Sequence, residues 1–191
     1  MKKKKMKIYQ DKSENREIRV RRLVALVIDW YLTSVFSAIP ITFFLRETDR
    51  LQTSMFDFST YNYSTSLFLV FFNIIVFIIY YMIIPMYIWK GQTLGKKVCK
   101  IKVVKDNLED VNFVSLLKRE LIGQTIIEGG IVNSASSLRQ LLSIFGYASF
   151  LKCVQYIAYG LTVLSIVYAC FHPLMQCFHD KLAHTIVIKQ K

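Results

Sequence analysis

One acidic residue inside a membrane-length apolar run constrains this chain more than any other feature. Leu23 to Leu45 spans 23 residues whose only charge is Asp29, and Arg16, Arg19, Arg21 and Arg22 stand directly before it. As a helix the run is about 34 Å long, enough to cross a hydrocarbon core of about 30 Å. A carboxylate at that depth costs about 2.5–3.5 kcal/mol on insertion scales, so it normally faces protein or water and has a partner. A second run, Leu67–Trp89, carries no charge; Asn73 and Pro85 are its awkward members, and Trp89-Lys90 reads as an interfacial aromatic followed by a basic surface. Composition agrees, with 53% apolar residues against an upper value of about 50% for soluble domains. The net charge of +12 accompanies that hydrophobicity and clusters beside the apolar runs. Anionic lipid headgroups explain such clusters better than nucleic acid does.

Orientation follows from Lys and Arg. Residues 1–22 hold ten of them against three acids, residues 90–105 hold six Lys and no acid, and residues 46–66 hold two Arg and three acids. Both basic flanks belong in the cytoplasm and the 46–66 segment outside. The first run is longer than a signal-peptide core of ~7–15 residues and has no A-x-A-like site, so it reads as a retained anchor. Lys181, Lys189 and Lys191 against Asp180 put the tail inside as well. Two further crossings must then separate Lys105 from Lys181: a weakly apolar one within 124–150, which carries Glu128, Gly129-Gly130 and Asn133, and a better one at 154–174. A re-entrant segment with no net crossing is the rival.

The expectation is an all-α polytopic membrane protein with about four transmembrane helices (23–45, 67–89, 124–150, 154–174) and a short cytoplasmic β-like hairpin. A basic segment 1–22 precedes the membrane domain 23–175, residues 90–120 form its cytoplasmic loop, and 176–191 form the tail. Val98–Val104 reads as a strand, with Val111–Val114 as a return, and Thr185–Ile188 as a second β-like run able to pair with it. Phe113–Ile122 has the pattern of an amphipathic helix or the start of the third span.

Four segments together resemble one family. Arg22-Leu-Val-Ala-Leu-Val-Ile-Asp29, Gly91-Gln92-Thr93-Leu94-Gly95-Lys96-Lys97, Leu117-Lys118-Arg119-Glu120-Leu121 and His179-Asp180-Lys181-Leu182-Ala183-His184-Thr185 occur in that order. The set resembles the RDD family of bacterial membrane proteins, named for one arginine and two aspartates. His184 stands where that family usually has glycine. By this resemblance Arg22 and Asp29 are the first two named residues and Asp180 is the candidate for the third. The resemblance places the chain in the bacterial cytoplasmic membrane, with both termini inside. Some members are proposed to exchange cations for protons.

Arg22 and Asp29 are seven residues apart, about 10 Å along a helix, too far for a good direct ion pair. Each is expected to meet another segment, and the Gly91–Lys97 turn and the tail bearing Asp180 are available on the same side. Two functional classes follow. In the first, Asp29 exchanges H⁺ for a cation, Arg22 tunes it and Asn73 is a polar neighbour; Gln92, Lys96 and Arg119 are further candidates, and a homo-oligomer would complete the pathway. In the second the protein is a non-transporting accessory, scaffold or immunity protein acting through an unknown protein partner. The Gly-Gln-Thr-Leu-Gly-Lys-Lys segment lacks the spacing of a phosphate loop. His172, His179 and His184 beside Cys170 and Cys177 match no standard zinc pattern, so no metal or cofactor is expected. No nucleophile–base arrangement is recognisable, and no enzyme is expected.

Overall fold

The computed structural model describes residues 12–45, 58, 61–129, 133–143, 147–172 and 174–190. The first eleven residues and most of the expected outer loop lie outside that range. Helix α1 (Lys12–Leu45) is followed by α2 (Tyr63–Ile88), which is α-helical to Ile78 and π-helical over Ile79–Ile88. Pro85 has no N–H to give and crowds the preceding turn, which suits the wider winding around it. The short α3 (Leu94–Val98) leads into β1 (Ile101–Lys105). Helix α4 covers residues 113–128, α-helical over Phe113–Leu116 and π-helical over Leu117–Glu128. Then come α5 (Asn133–Leu142), α6 (Ala148–Phe171), α7 (Phe178–Leu182) and β2 (Thr185–Lys189).

Among the described residues three helices are long and apolar enough to cross a membrane: Arg16–Phe43, Tyr63–Ile88 and Phe150–Phe171. Their side-chain distribution is that of a protein dissolved in lipid. On α1 the buried positions among the described side chains are Ile18, Ala25, Asp29, Thr33, Ser37, Pro40 and Ile41, a stripe at helical spacing that is largely small or polar. Leu23, Val24, Val27, Tyr31 and Phe43 on the other faces are exposed. Between membrane helices apolar contact gains little over lipid, so small and hydrogen-bonding residues take the interior.

The expected third span at 124–150 is not one continuous helix. Glu128 ends α4, and Gly129 follows in the left-handed conformation at φ +41°. The chain resumes as the ten-residue α5. Each piece alone is too short to span, but their neighbours lie at opposite ends of the bundle. Helix α4 packs on α7, whereas α5 packs on α2 near its start, and Gln140 accepts a 2.9 Å bond from the Phe58 N–H in the loop before α2. Helices α4 and α5 therefore make one broken crossing. The sheet requires the same: β1 and β2 pair antiparallel, Ile101 opposite Lys189 through Lys105 opposite Thr185, so their segments share one side of the membrane. With α6 crossing once between them, a second crossing must precede it.

The sheet is the long-range pairing with the tail that the sequence offered, and the local return expected at 111–114 does not form. Residues 111–114 supply no strand, and the return is reduced to a single bridge between Val104 and Asp110. Under the sheet, Ile18 and Ala25 of α1 join Cys99, Ile101, Val103, Met175 and Val187 in one apolar cluster. That cluster fixes the start of α1 against the turn after α2 and against the tail, which is where the charged residues meet.

Candidate functional site: a buried charge lattice beside a membrane-level cavity

Asp29 is 3% exposed, and the Gly91–Lys97 turn closes over it. Its Oδ1 accepts from the Tyr80 hydroxyl at 2.6 Å and the Gly95 N–H at 2.8 Å, and its Oδ2 accepts from the Thr93 hydroxyl at 2.5 Å. The local sequence makes this possible. Thr93 caps α3, and Gly95 in the first turn presents its N–H to the carboxylate. A Cβ on Gly95 would lie 2.5 Å from the Ala25 carbonyl oxygen and 2.6 Å from Asp29 Oδ1, so only glycine admits α1 this closely. Among the described residues no Lys, Arg or His nitrogen lies within 4.0 Å of Asp29.

The other buried acids all lie against basic side chains: Asp180 and Glu120 against Arg or Lys, and Glu128 against a histidine. Asp180 in α7 is fully buried between two guanidiniums: Arg22 Nη2 bonds its Oδ2, and Arg119 Nη2 lies 3.0 Å from its Oδ1. Arg22 also donates to the Met175 carbonyl at 2.5 Å. Burial alone would push the Asp180 carboxyl up, but Arg22 and Arg119 beside it hold it well below the usual carboxylate range. Glu120, 1% exposed, lies 3.5 Å from Arg119 Nε and 3.9 Å from Lys96 Nζ. Burial lowers the Lys96 ammonium, and Glu120 offsets only part of that. Glu128 accepts from Ser165 at 2.6 Å, from the His179 N–H at 3.0 Å and, through Oε2, contacts His179 Nδ1 at 2.8 Å. The other ring nitrogen of His179 is 3.5 Å from Asp180 Oδ1, so the imidazole bridges two carboxylates.

A cavity of about 290 Å³ opens beside this lattice, between α1, α4 and α6. Arg22, Asp29, Lys96, Arg119, Glu128 and His179 all reach its wall, and Leu23, Leu26, Trp30 and Ile166 supply apolar lining. Cys177, His179 and Asp180 bring potential metal ligands within 4.8 Å of one another. The chemistry opposes a metal there: two guanidiniums already neutralise Asp180, and burial pushes the Cys177 thiol up to about 12, away from the thiolate a metal needs.

Of the residues singled out from sequence, Arg22, Arg119 and Asp180 meet in one cluster, and Lys96 adjoins it through Glu120. Asp29 sits apart from them on the α3 turn. Asn73 does not join Asp29: it is buried on α2 with its amide bonded to the Leu69 carbonyl of its own helix, and Tyr80 holds the place expected of it. Gln92 serves the sheet, donating to the Ile101 carbonyl and to Gln190. Sequence reasoning passed over Tyr80, Thr93, Glu120, Glu128, Ser165 and His179 as functional residues. Glu128 and Glu120 carried a signal, being acids beside apolar runs; a tyrosine in an aromatic-rich span carries none.

Fold and site together define a polytopic helical membrane protein whose crossings are locked at one face by a buried ionic lattice. The chain belongs to the RDD family, whose model matches residues 19–184. No curated protein and no solved structure matches it.

Proposed function

We propose that this protein is a proton-coupled cation exchanger of the bacterial cytoplasmic membrane, with the strand pair on the cytoplasmic side and Asp29 as the exchanging group. One observation carries the reading: of the four buried carboxylates among the described residues, Asp29 alone has no Lys, Arg or His nitrogen within 4.0 Å. Its charge is held by two hydroxyls and one N–H, at the wall of a cavity inside the bundle. Hydroxyl oxygens can turn their protons aside and ligate a cation. The Tyr80 and Thr93 oxygens beside the carboxylate thus offer an all-oxygen shell suited to a hard monovalent ion. A proton on Asp29 and a cation beside it would compete for one negative charge, which is the elementary requirement for exchange. The distribution of basic residues supports the orientation.

The test is cation-driven proton movement in proteoliposomes, comparing wild type with Asp29→Asn at matched insertion. Na⁺- or K⁺-dependent collapse of a pH gradient, lost in the variant, is the expected result. Wild-type protein that folds, inserts and moves neither ion sinks the reading and turns the search to protein partners.

A further inference from the structure

A second ligand chemistry is built into the same cavity. Arg119 is 3% exposed and lines the cavity, yet its Nε and Nη1 hydrogen-bond to nothing among the described residues. A guanidinium has five donors, and a buried one left partly unused is expensive. The two carboxylates on the same wall leave no oxygen wholly unpartnered. Both oxygens of Asp29 and both of Glu128 already accept or contact a donor. Glu120 Oε2 and Asp180 Oδ1 are also without a hydrogen-bond partner, but neither residue is part of the lining. Among the described charged groups that line the cavity, the buried side-chain atoms left without a partner are therefore donors, and they favour an anion.

The approach to the cavity identifies which anion. Helices α1 and α6 scarcely touch, and the cavity lies in the gap between them. Arg19 Nη1 spans the gap near the end of α6, bonding the Cys170 carbonyl at 2.9 Å. Leu23, Leu26, Trp30 and Ile166 line the cavity while remaining exposed on the outer faces of two membrane-spanning helices. The opening is thus lateral, towards the hydrocarbon. At ~30 Å³ per water the cavity holds roughly ten waters, enough for a polar headgroup and too little for a whole lipid.

We propose that this cavity binds the phosphate headgroup of an anionic phospholipid, entering between α1 and α6 and held by Arg119 with Arg22 and Lys96. Its acyl chains stay in the bilayer against Leu23, Leu26 and Trp30. The site stands independently of cation exchange, because it rests on unused donors and a lateral opening.

Purified full-length protein would be depleted of lipid and offered phosphatidylglycerol or phosphatidylcholine, with retention read by native mass spectrometry and thermal unfolding followed in parallel. A roughly tenfold preference for phosphatidylglycerol is expected: both lipids offer a phosphate to Arg119, but choline adds a fixed cation that Arg119, Arg22 and Lys96 repel. Ala169→Phe fills the cavity without removing a charge and should erase that preference at unchanged helical content. Should Ala169→Phe disrupt the fold, Leu26→Trp narrows the same opening from the lipid side and serves instead. Equal retention of the two lipids, or a preference that survives the filled cavity, overturns the proposal. So does equal stabilisation by inorganic phosphate, which would make the ligand a free anion. Proton–cation flux is measured separately, so either proposal can fail without the other.

Discussion

Asp29 and Asp180 show two solutions to the same problem. Asp29 spreads its charge over uncharged donors from α2 and the α3 turn, whereas Asp180 is neutralised outright by arginines from α1 and α4. The first rests on hydrogen bonds from uncharged groups; the second uses charge to hold elements together. His184 illustrates a residue-scale cost. It takes a left-handed conformation, φ +52°, a region that favours glycine, and its largely exposed ring reaches Asp106 only at 3.7 Å. A non-glycine residue in that region costs about 1–2 kcal/mol, partly offset by the greater unfolded freedom of glycine. His184→Gly should accordingly stabilise the protein by about 1 kcal/mol, seen as a raised unfolding midpoint in detergent. A lowered midpoint would mean that the ring does more than its contacts indicate.

At the scale of elements, α7 is the hub. Five residues long, it carries Asp180 to Arg22 on α1 and to Arg119 on α4, and its His179 reaches Glu128 at the end of α4. Removing one partner of a buried, hydrogen-bonded ion pair typically costs 3–5 kcal/mol, because the other charge stays buried without compensation. Asp180→Asn leaves two guanidiniums facing a neutral amide, so a destabilisation of about 3–5 kcal/mol is expected in denaturant unfolding. Lys189→Gln, at the exposed pair with Glu17, should change little by the same measurement. Comparable effects of the two would show that the lattice contributes no more than a surface pair. Much of this level was legible in the sequence. A lone acid in an apolar run, a basic flank before it and a Gly-Gln-Thr-Leu-Gly turn after the second run placed Arg22, Asp29 and the turn correctly in the chain. Arg22 and Asp180, however, are 158 residues apart, and periodicity describes one helix face without naming what covers it. The broken crossing escaped for a related reason. Glu128 and Gly129 look like blemishes in a weak span, and only the packing of α4 on α7 and of α5 on α2 shows that they divide it.

For the whole molecule, the lattice sets how stability answers to pH. The folded Asp180 carboxyl lies below its ordinary value of about 3.9, so the stability it supplies is complete above that value. It is lost progressively as pH falls from that value to the lower folded one. The folded Lys96 ammonium lies below its ordinary value of about 10.4. Below the folded value the fold bears the cost of burying that charge, and the cost is relieved as pH climbs from there towards the ordinary value. The unfolding midpoint of wild type, taken relative to Lys96→Gln at each pH, should therefore rise on the alkaline side. A relative midpoint that stays flat across that range would show that Lys96 is not titrating in the fold.

The order of elements along the chain has a consequence for biosynthesis. Helix α7 and β2 follow every membrane crossing in sequence, yet they supply the acid that Arg22 and Arg119 require and the strand that β1 requires. While the nascent chain is being threaded into the bilayer, Arg22 and Arg119 lack Asp180, although Glu120 is already beside Arg119. Arg22 gains its carboxylate partner only when α7 arrives. Insertion can proceed helix by helix, but the closed state forms in a single late step, so a chain stalled before α7 would remain recognisably unfinished.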